Sequence, residues 1–489
     1  MSQRLPLAPL FAALCAGLAS SQERDPSLPQ GPAWLESEEG AAITAEQIET
    51  KLRYLASDAL EGRDTGSRGS MAAAWWMADG LRALGFEGGG DPLEGRDARS
   101  FLQDIQRPKI SLLEPPAIAA YRDGELLELA QGRDYDMIDA RASEATLRLH
   151  VVSQDADLPE AVDPEVALVL DGRSSQRRAW LEELGTPDGR GWGAVVRRGR
   201  RSDGEAQPST RLMSTATGDR IDMRLHGETW ERVLAGEIQE LAFAIGAVES
   251  SRAYNVIGYL PGVGTPENPD LAEEVVVLTA HYDHLGQRAL RPGEDPETDT
   301  IYNGADDDGT GVVTVLELAE ALAHGARPAR TVVVMLVTGE EKGLLGTYHY
   351  LEAPLFSLEN TVCNLNFEML GRPDDLAGGP GKLWLSGYER SNLGDALAAR
   401  KVPVVADPRP EQNFFQRSDN YAFARLGIVA QTLSSYNMHE EYHTVDDDAD
   451  AVDYAHMQEA VRSCLVATLL MTSGELAPSW LPGGDPSQR

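Results

Sequence analysis

Two continuous apolar runs, "EVVVLTAH" at 274–281 and "RTVVVMLVTG" at 330–339, constrain this chain more than any other feature. They are rich in β-branched residues and do not alternate apolar with polar, which is the pattern of strands buried on both faces. Between them, "GVVTVLELAEALA" at 311–323 has the period of an amphipathic helix. Strand, helix, strand predicts an α/β body with a mixed, largely parallel sheet flanked by helices. Sites in such sheets gather beyond the carboxyl ends of the strands. There the first run continues into His281, Tyr282, Asp283 and His284, and the second into Thr338, Gly339, Glu340 and Glu341.

The rest of the chain divides by texture. Ala45–Phe86 reads as two helices separated by the loop "EGRDTGSRGS", with Gly85 suited to a C-terminal cap. From about 110 to 250, short apolar runs ("LRLHVVS", "EVALVLDG", "WGAVVRRG") and one helix-like "TWERVLAGEIQEL" suggest a separate β-rich insert. Its cluster Arg197, Arg198, Arg200 and Arg201 reads as a solvated loop, because the 489-residue chain carries a net charge of −35, which repels nucleic acid and anionic membrane surfaces. "MSQRLPLAPLFAALCAGLASSQERD" is apolar, too short and Pro-broken to span a bilayer, and is expected to be an export signal cleaved near Ala19–Gln22. That reading predicts an exported, periplasmic or extracellular product with no stable membrane insertion. Of the two remaining cysteines, Cys363 and Cys464, both lie in apolar surroundings and read as buried free thiols.

Metal-ligand residue types recur where the strands end. "NGADDDGTG" at 303–311 is a Gly-rich loop before the helix, where three adjacent carboxylates either cap the helix or hold a cation. Glu368 in "TVCNLNFEMLG" is flanked by Phe367 and Met369 and needs a cation or hydrogen bonds if buried. "HEEYHTVDDDAD" adds His439 and His443, whose H-E-x-x-H spacing is that of zinc endopeptidases; the loop-like flanks argue against the helix which that mechanism needs. A mixed set of histidines and carboxylates from separate elements suits zinc, and the surplus over three ligands suits a pair of metals sharing a carboxylate.

Together, "YLASDALEGRDTG", "YNVIGYLPG", "TAHYDHLG", "NGADDDGTG", "TGEEKGLLG", "NFEMLGR", "RSDNYAFARLGI" and "EYHTVDDDAD" resemble the two-zinc aminopeptidase family, metallopeptidase family 28, over roughly residues 45–105 and 252–472. That family also contains glutamate carboxypeptidases, glutaminyl cyclases and the transferrin-receptor ectodomain. The resemblance implies a zinc-aminopeptidase-like fold and two zinc ions. His281 and Glu368 would bind one zinc, Glu341 and His443 the other, and Asp307 would bridge them. Glu340 would be the general base, Asp283 the partner that fixes the His281 ring, and Tyr442 a group polarising the scissile carbonyl. Most members have aspartate at the Glu368 position. The implied layout is a signal peptide at 1–20, the peptidase domain at 21–108 and 251–478, a protease-associated-like insert at 109–250, and a tail at 479–489. Substrates would be peptides or proteins, with an aminopeptidase as the expected activity. The alternatives are a glutamate-carboxypeptidase-like carboxypeptidase or broader metallopeptidase, a single-zinc endopeptidase using His439 and His443, and a non-catalytic receptor-like ectodomain; oligomeric state stays open.

Overall fold

The computed structural model describes residues 42–488 apart from 107–108, 123–124, 155, 186–190, 200–219, 289 and 291–292. The expected signal peptide, Cys15, Arg200 and Arg201 lie outside the described residues. The chain forms two units, one of residues up to Ile105 with those from Ala253 onward, the other Gln106–Arg252.

In the first unit, Val275–His281 and Thr331–Val337 are strands with every residue buried. They pair in parallel, and Thr361–Phe367 and Val429–Ser434 extend the parallel set on the other side of Val275–His281. On one flank Tyr254–Leu260 runs antiparallel to Thr331–Val337 and carries Glu87–Gly88 and Leu102–Asp104 beyond it; on the other Leu383–Leu385 runs antiparallel to Val429–Ser434 and carries Val404–Ala406. The sheet is therefore mixed: the four central strands are parallel, as the runs predict, while the flanking strands bring the antiparallel pairings level with the parallel ones in the whole sheet. Successive side chains supply opposite faces. Val276, Leu278 and Ala280 join one apolar cluster with Val312, Leu316 and Met457 from helices Gly311–His324 and Tyr454–Thr472, while Val275 and Val277 join another with Tyr350 and Phe423. Truncating any such buried leucine to alanine costs on the order of 2–5 kcal/mol.

Helices Ala45–Leu55 and Arg68–Ala83 start at Thr44 and Ser67, whose side chains accept from the Gln47 and Ser70 amides. Gly85 ends the second at φ +83°, a backbone conformation that suits glycine. Lys51 on the first helix reaches Glu317 and Glu320 on helix Gly311–His324 at 2.6 and 2.8 Å, so a buried ion pair fixes the helix that follows the triple-aspartate loop.

The second unit has an eight-stranded sheet in the order 125–129, 117–122, 240–245, 143–152, 166–170, 194–198, 221–225, 135–139. The helix Gly227–Leu234 covers only the first half of the "TWERVLAGEIQEL" segment, whose last two residues begin the strand Glu240–Ile245, and Ser174–Gly185 is a helix that the sequence reading did not find. Arg197 and Arg198 end the strand Ala194–Arg198 and do not lie in the solvated loop that was expected, because they pair with Asp222 at 2.7 Å and Glu231 at 2.8 Å. Cys363 and Cys464 are both buried free thiols.

Candidate metal centre

Each strand end delivers one group. His281 is the last residue of its strand, and the Tyr282 amide still donates to the Val337 carbonyl (2.9 Å), holding the chain against the sheet as it leaves it. Buried Arg63 donates to the carbonyls of Leu55, Tyr282, Asn303 and Gly304 at 2.5–2.8 Å and so ties three loops together. Gly304 sits at φ +55°, and a Cβ there would meet Asp307 O at 2.4 Å and the His284 ring at 2.5 Å, so only glycine lets the aspartate loop approach.

The three aspartates separate by their partners. Asp306 Oδ1 accepts from the Gly371 amide (2.7 Å) and the Thr310 hydroxyl (3.0 Å), and Asp308 Oδ1 from the Met369 and Gly311 amides (3.0 and 3.1 Å). Both therefore satisfy backbone donors. Asp307 is held by its own amide, which donates to Asp447 Oδ2 (3.0 Å), and its carboxylate meets only imidazoles: Oδ1 is 3.3 Å from His281 Nε2 and Oδ2 is 3.0 Å from His443 Nε2.

Two donor groups share that carboxylate: His281, Asp307 and Glu368; and His284, Asp307, Glu341 and His443. His284, three residues beyond His281, is not in the expected ligand set; its Nδ1 lies 2.9 Å from Glu341 Oε1, which is 3.3 Å from His443 Nε2. Close as they are, both ring nitrogens of His284, Glu341 Oε1 and His443 Nε2 are buried without a hydrogen-bond partner. Leaving buried polar atoms unsatisfied costs about 1–3 kcal/mol each. Nitrogen and carboxylate lone pairs converging in this way fit a cation, so these groups can bind metal.

Glu340 stands outside both groups. Its amide donates to Asp283 Oδ1 (3.1 Å), and Asp283 Oδ2 accepts from the Thr65 hydroxyl (2.9 Å). The His281 ring is fixed differently from the expectation. Nδ1 contacts the Asp283 carbonyl at 3.1 Å, and the carboxylate lies 3.9 Å away, because its oxygens are taken by Thr65 and Glu340.

Burial, then repulsion from Glu368, Asp419 and Glu341, pushes the Glu340 carboxyl well above its ordinary range against the attraction of His281. Burial likewise raises Glu368 to about 7. Burial would also raise Glu341, but His284 and His443 outweigh it and bring it down to about 2. Bound cations oppose the upward shifts.

The H-E-x-x-H stretch is not a helix: residues 440–443 form turns, and His443 sits at φ +58°. His439 points to Asp306 Oδ2 (3.1 Å) and belongs to neither donor group. Tyr442 stacks on His443 with ring centroids 3.9 Å apart and lines a cleft with Trp384, Phe414 and Tyr436 beside Glu340. Burial and the carboxylates of Asp307, Glu368 and Glu341 keep its phenol protonated.

Residues 255–468 match the model of Peptidase family M28. Two curated relatives are a vacuolar membrane protease of Penicillium rubens, 28% identical over 191 residues (38% of this chain and 17% of that one), and one of Phaeosphaeria nodorum, 27% identical over 203 residues (41% and 19%). The chain thus spans under a fifth of the length of these relatives. Solved structures similar to it include an aminopeptidase from Aneurinibacillus sp. strain AM-1 (TM-score 0.49, 16% identity, 90% of this chain and 95% of that one). A zinc aminopeptidase from Bacillus subtilis is another (TM-score 0.48, 16%, 91% and 98%). The relatives' names correct one expectation: an exported, periplasmic or extracellular location disagrees with proteins named for the vacuolar membrane. Among the described residues, no helix is long and apolar enough to cross a membrane.

Proposed function

The chain belongs to peptidase family M28 through residues 255–468, and from that premise we propose that it is a zinc-dependent aminopeptidase removing N-terminal residues from peptides. The observation that carries this reading is the pair of donor groups meeting at Asp307 beside a cleft that holds an uncommitted Glu340. His281 and Glu368 would hold one zinc, and Glu341, His443 and His284 the other, with Asp307 in common. A mixed imidazole and carboxylate set without cysteine suits that metal. Zinc held there supplies Lewis-acid polarisation of the scissile carbonyl and acidifies a water.

The chain's own groups do the rest. Glu340 accepts a proton from the attacking water and returns it to the leaving amine, so it is regenerated as a carboxylate when the peptide bond breaks. Asp283 holds the Glu340 backbone in place. The protonated Tyr442 phenol on the cleft wall donates toward the carbonyl oxygen as negative charge develops. The unit Gln106–Arg252 is proposed as a protease-associated-type domain.

The test is release of residues from unblocked aminoacyl-nitroanilides, with Glu340→Gln losing about 10²–10⁴-fold in kcat while retaining its metal. Full activity of that variant, or cleavage confined to N-blocked substrates, would reject the reading.

A further inference from the structure

Beside the donor groups, a cleft is lined by the aromatic rings of Trp384, Phe414, Tyr436 and Tyr442 and by the carboxylates Asp307, Glu340, Glu341 and Glu368. Arg417 is the only arginine or lysine among the described residues lining it. The Arg417 guanidinium carbon lies 5.2 Å from the centroid of the Phe414 ring, and Phe414 is itself stacked on Trp384 at 5.2 Å. Stacking on a ring that is fixed in turn limits where the guanidinium can go.

What Arg417 does not do is equally informative. Acidic residues outnumber basic ones 78 to 43, and other arginines of this region are engaged: Arg409 binds both oxygens of Asp374, and Arg372 meets Glu441 at 3.1 Å. Among the described residues, no carboxylate forms an ion pair or side-chain hydrogen bond with Arg417. Arg417 is exposed at the cleft, so its fork of donors, matched to a planar carboxylate, is open to solvent and to a group that enters there.

We propose that Arg417 recognises a carboxylate of the substrate, so that the preferred substrates are peptides carrying an acidic group next to the scissile bond. The inference rests on the peptidase reading above and adds to it a substrate class. Two sources share this chemistry: the side chain of an N-terminal acidic residue, seated between the aromatic walls, and the α-carboxylate of a dipeptide.

Isosteric pairs separate them in the zinc-loaded full chain. Glutamyl- and glutaminyl-p-nitroanilide report the side chain, and leucyl-glycine and its amide report the α-carboxylate. The proposal expects one pair to differ by roughly 10- to 100-fold in kcat/KM, mainly through KM. Arg417→Met should collapse that ratio to within about threefold, and Arg417→Lys should restore part of it. A purely structural role for the stacked guanidinium would lower the melting temperature and leave the ratio untouched. Calorimetric titration of zinc-loaded Glu340→Gln protein with the same four compounds, with and without Arg417→Met, reads binding without turnover. If nothing is hydrolysed, the peptidase reading fails, while the titration still decides the role of Arg417. Equal binding within both pairs, or a ratio unchanged by Arg417→Met, overturns the proposal.

Discussion

The Nδ1 atom of His284 lies 2.9 Å from Oε1 of Glu341, and neither atom is aligned for a hydrogen bond. Two buried atoms of ligand type placed so close without that alignment fit ligands to a common ion. His284→Ala should therefore weaken metal binding at the group it shares with Glu341 and His443 by about 10–100-fold in a competitive chelator titration. His439→Ala, which touches Asp306 instead, should leave metal affinity within about threefold. Equal losses in the two variants would restore the H-E-x-x-H reading.

The aspartate loop gives a sharper contrast. Asp307→Asn should remove metal, because its carboxylate meets only imidazoles. Asp306→Asn and Asp308→Asn should instead lower stability by about 1–3 kcal/mol through the backbone amides they now accept from. Metal content by mass spectrometry and urea midpoints read the two effects separately. Equal metal loss in all three variants would contradict the assignment.

The Lys51–Glu317 pair is buried on both sides. Lys51→Met alone should destabilise by about 3–5 kcal/mol, since it leaves an uncompensated buried carboxylate. Lys51→Met with Glu317→Leu should recover most of that loss in urea unfolding. No recovery would mean that packing, and not charge, holds the two helices together.

His456 is buried with Nδ1 accepting from the Gly381 amide (2.8 Å) and Nε2 against the Ser435 hydroxyl (2.9 Å). Burial, opposed by Asp453 and Asp306, lowers its pKa to about 4. The unfolded chain takes up that proton near pH 6.5. The stability due to the neutral ring is therefore complete above pH 6.5 and is lost as pH falls toward 4, amounting to about 3 kcal/mol. Unfolding in a chelator at several pH values should show this slope in the wild type and lose it in His456→Gln. A slope that survives the substitution would place the titration elsewhere.

How much of this was legible depended on whether the signal was local. The strands at 275–281 and 331–337 could be read because seven consecutive buried residues leave no alternation to misinterpret. Their carboxyl ends then marked where the site would form. Choosing Asp307 from its neighbours required the resemblance, since a run of three carboxylates does not reveal which of them meets backbone amides. His284 was missed because the chain leaves the sheet after His281, and no periodicity says where a side chain three residues on will turn. Arg63 was read only as part of a loop, because three of its four carbonyl acceptors lie 219, 240 and 241 residues away. Helix Ser174–Gly185 is polar around most of its circumference, with Trp180 and Leu184 packed into the core, and so shows little amphipathic period.

The central claim is that one carboxylate, Asp307, joins two metal sites. Anomalous scattering at the zinc edge from crystals of the zinc-loaded chain tests it most directly. The account predicts two peaks flanking Asp307, one within bonding distance of His281 and Glu368, the other of Glu341, His443 and His284. A single peak coordinated by His439 and His443, or no peak in contact with Asp307, would contradict it.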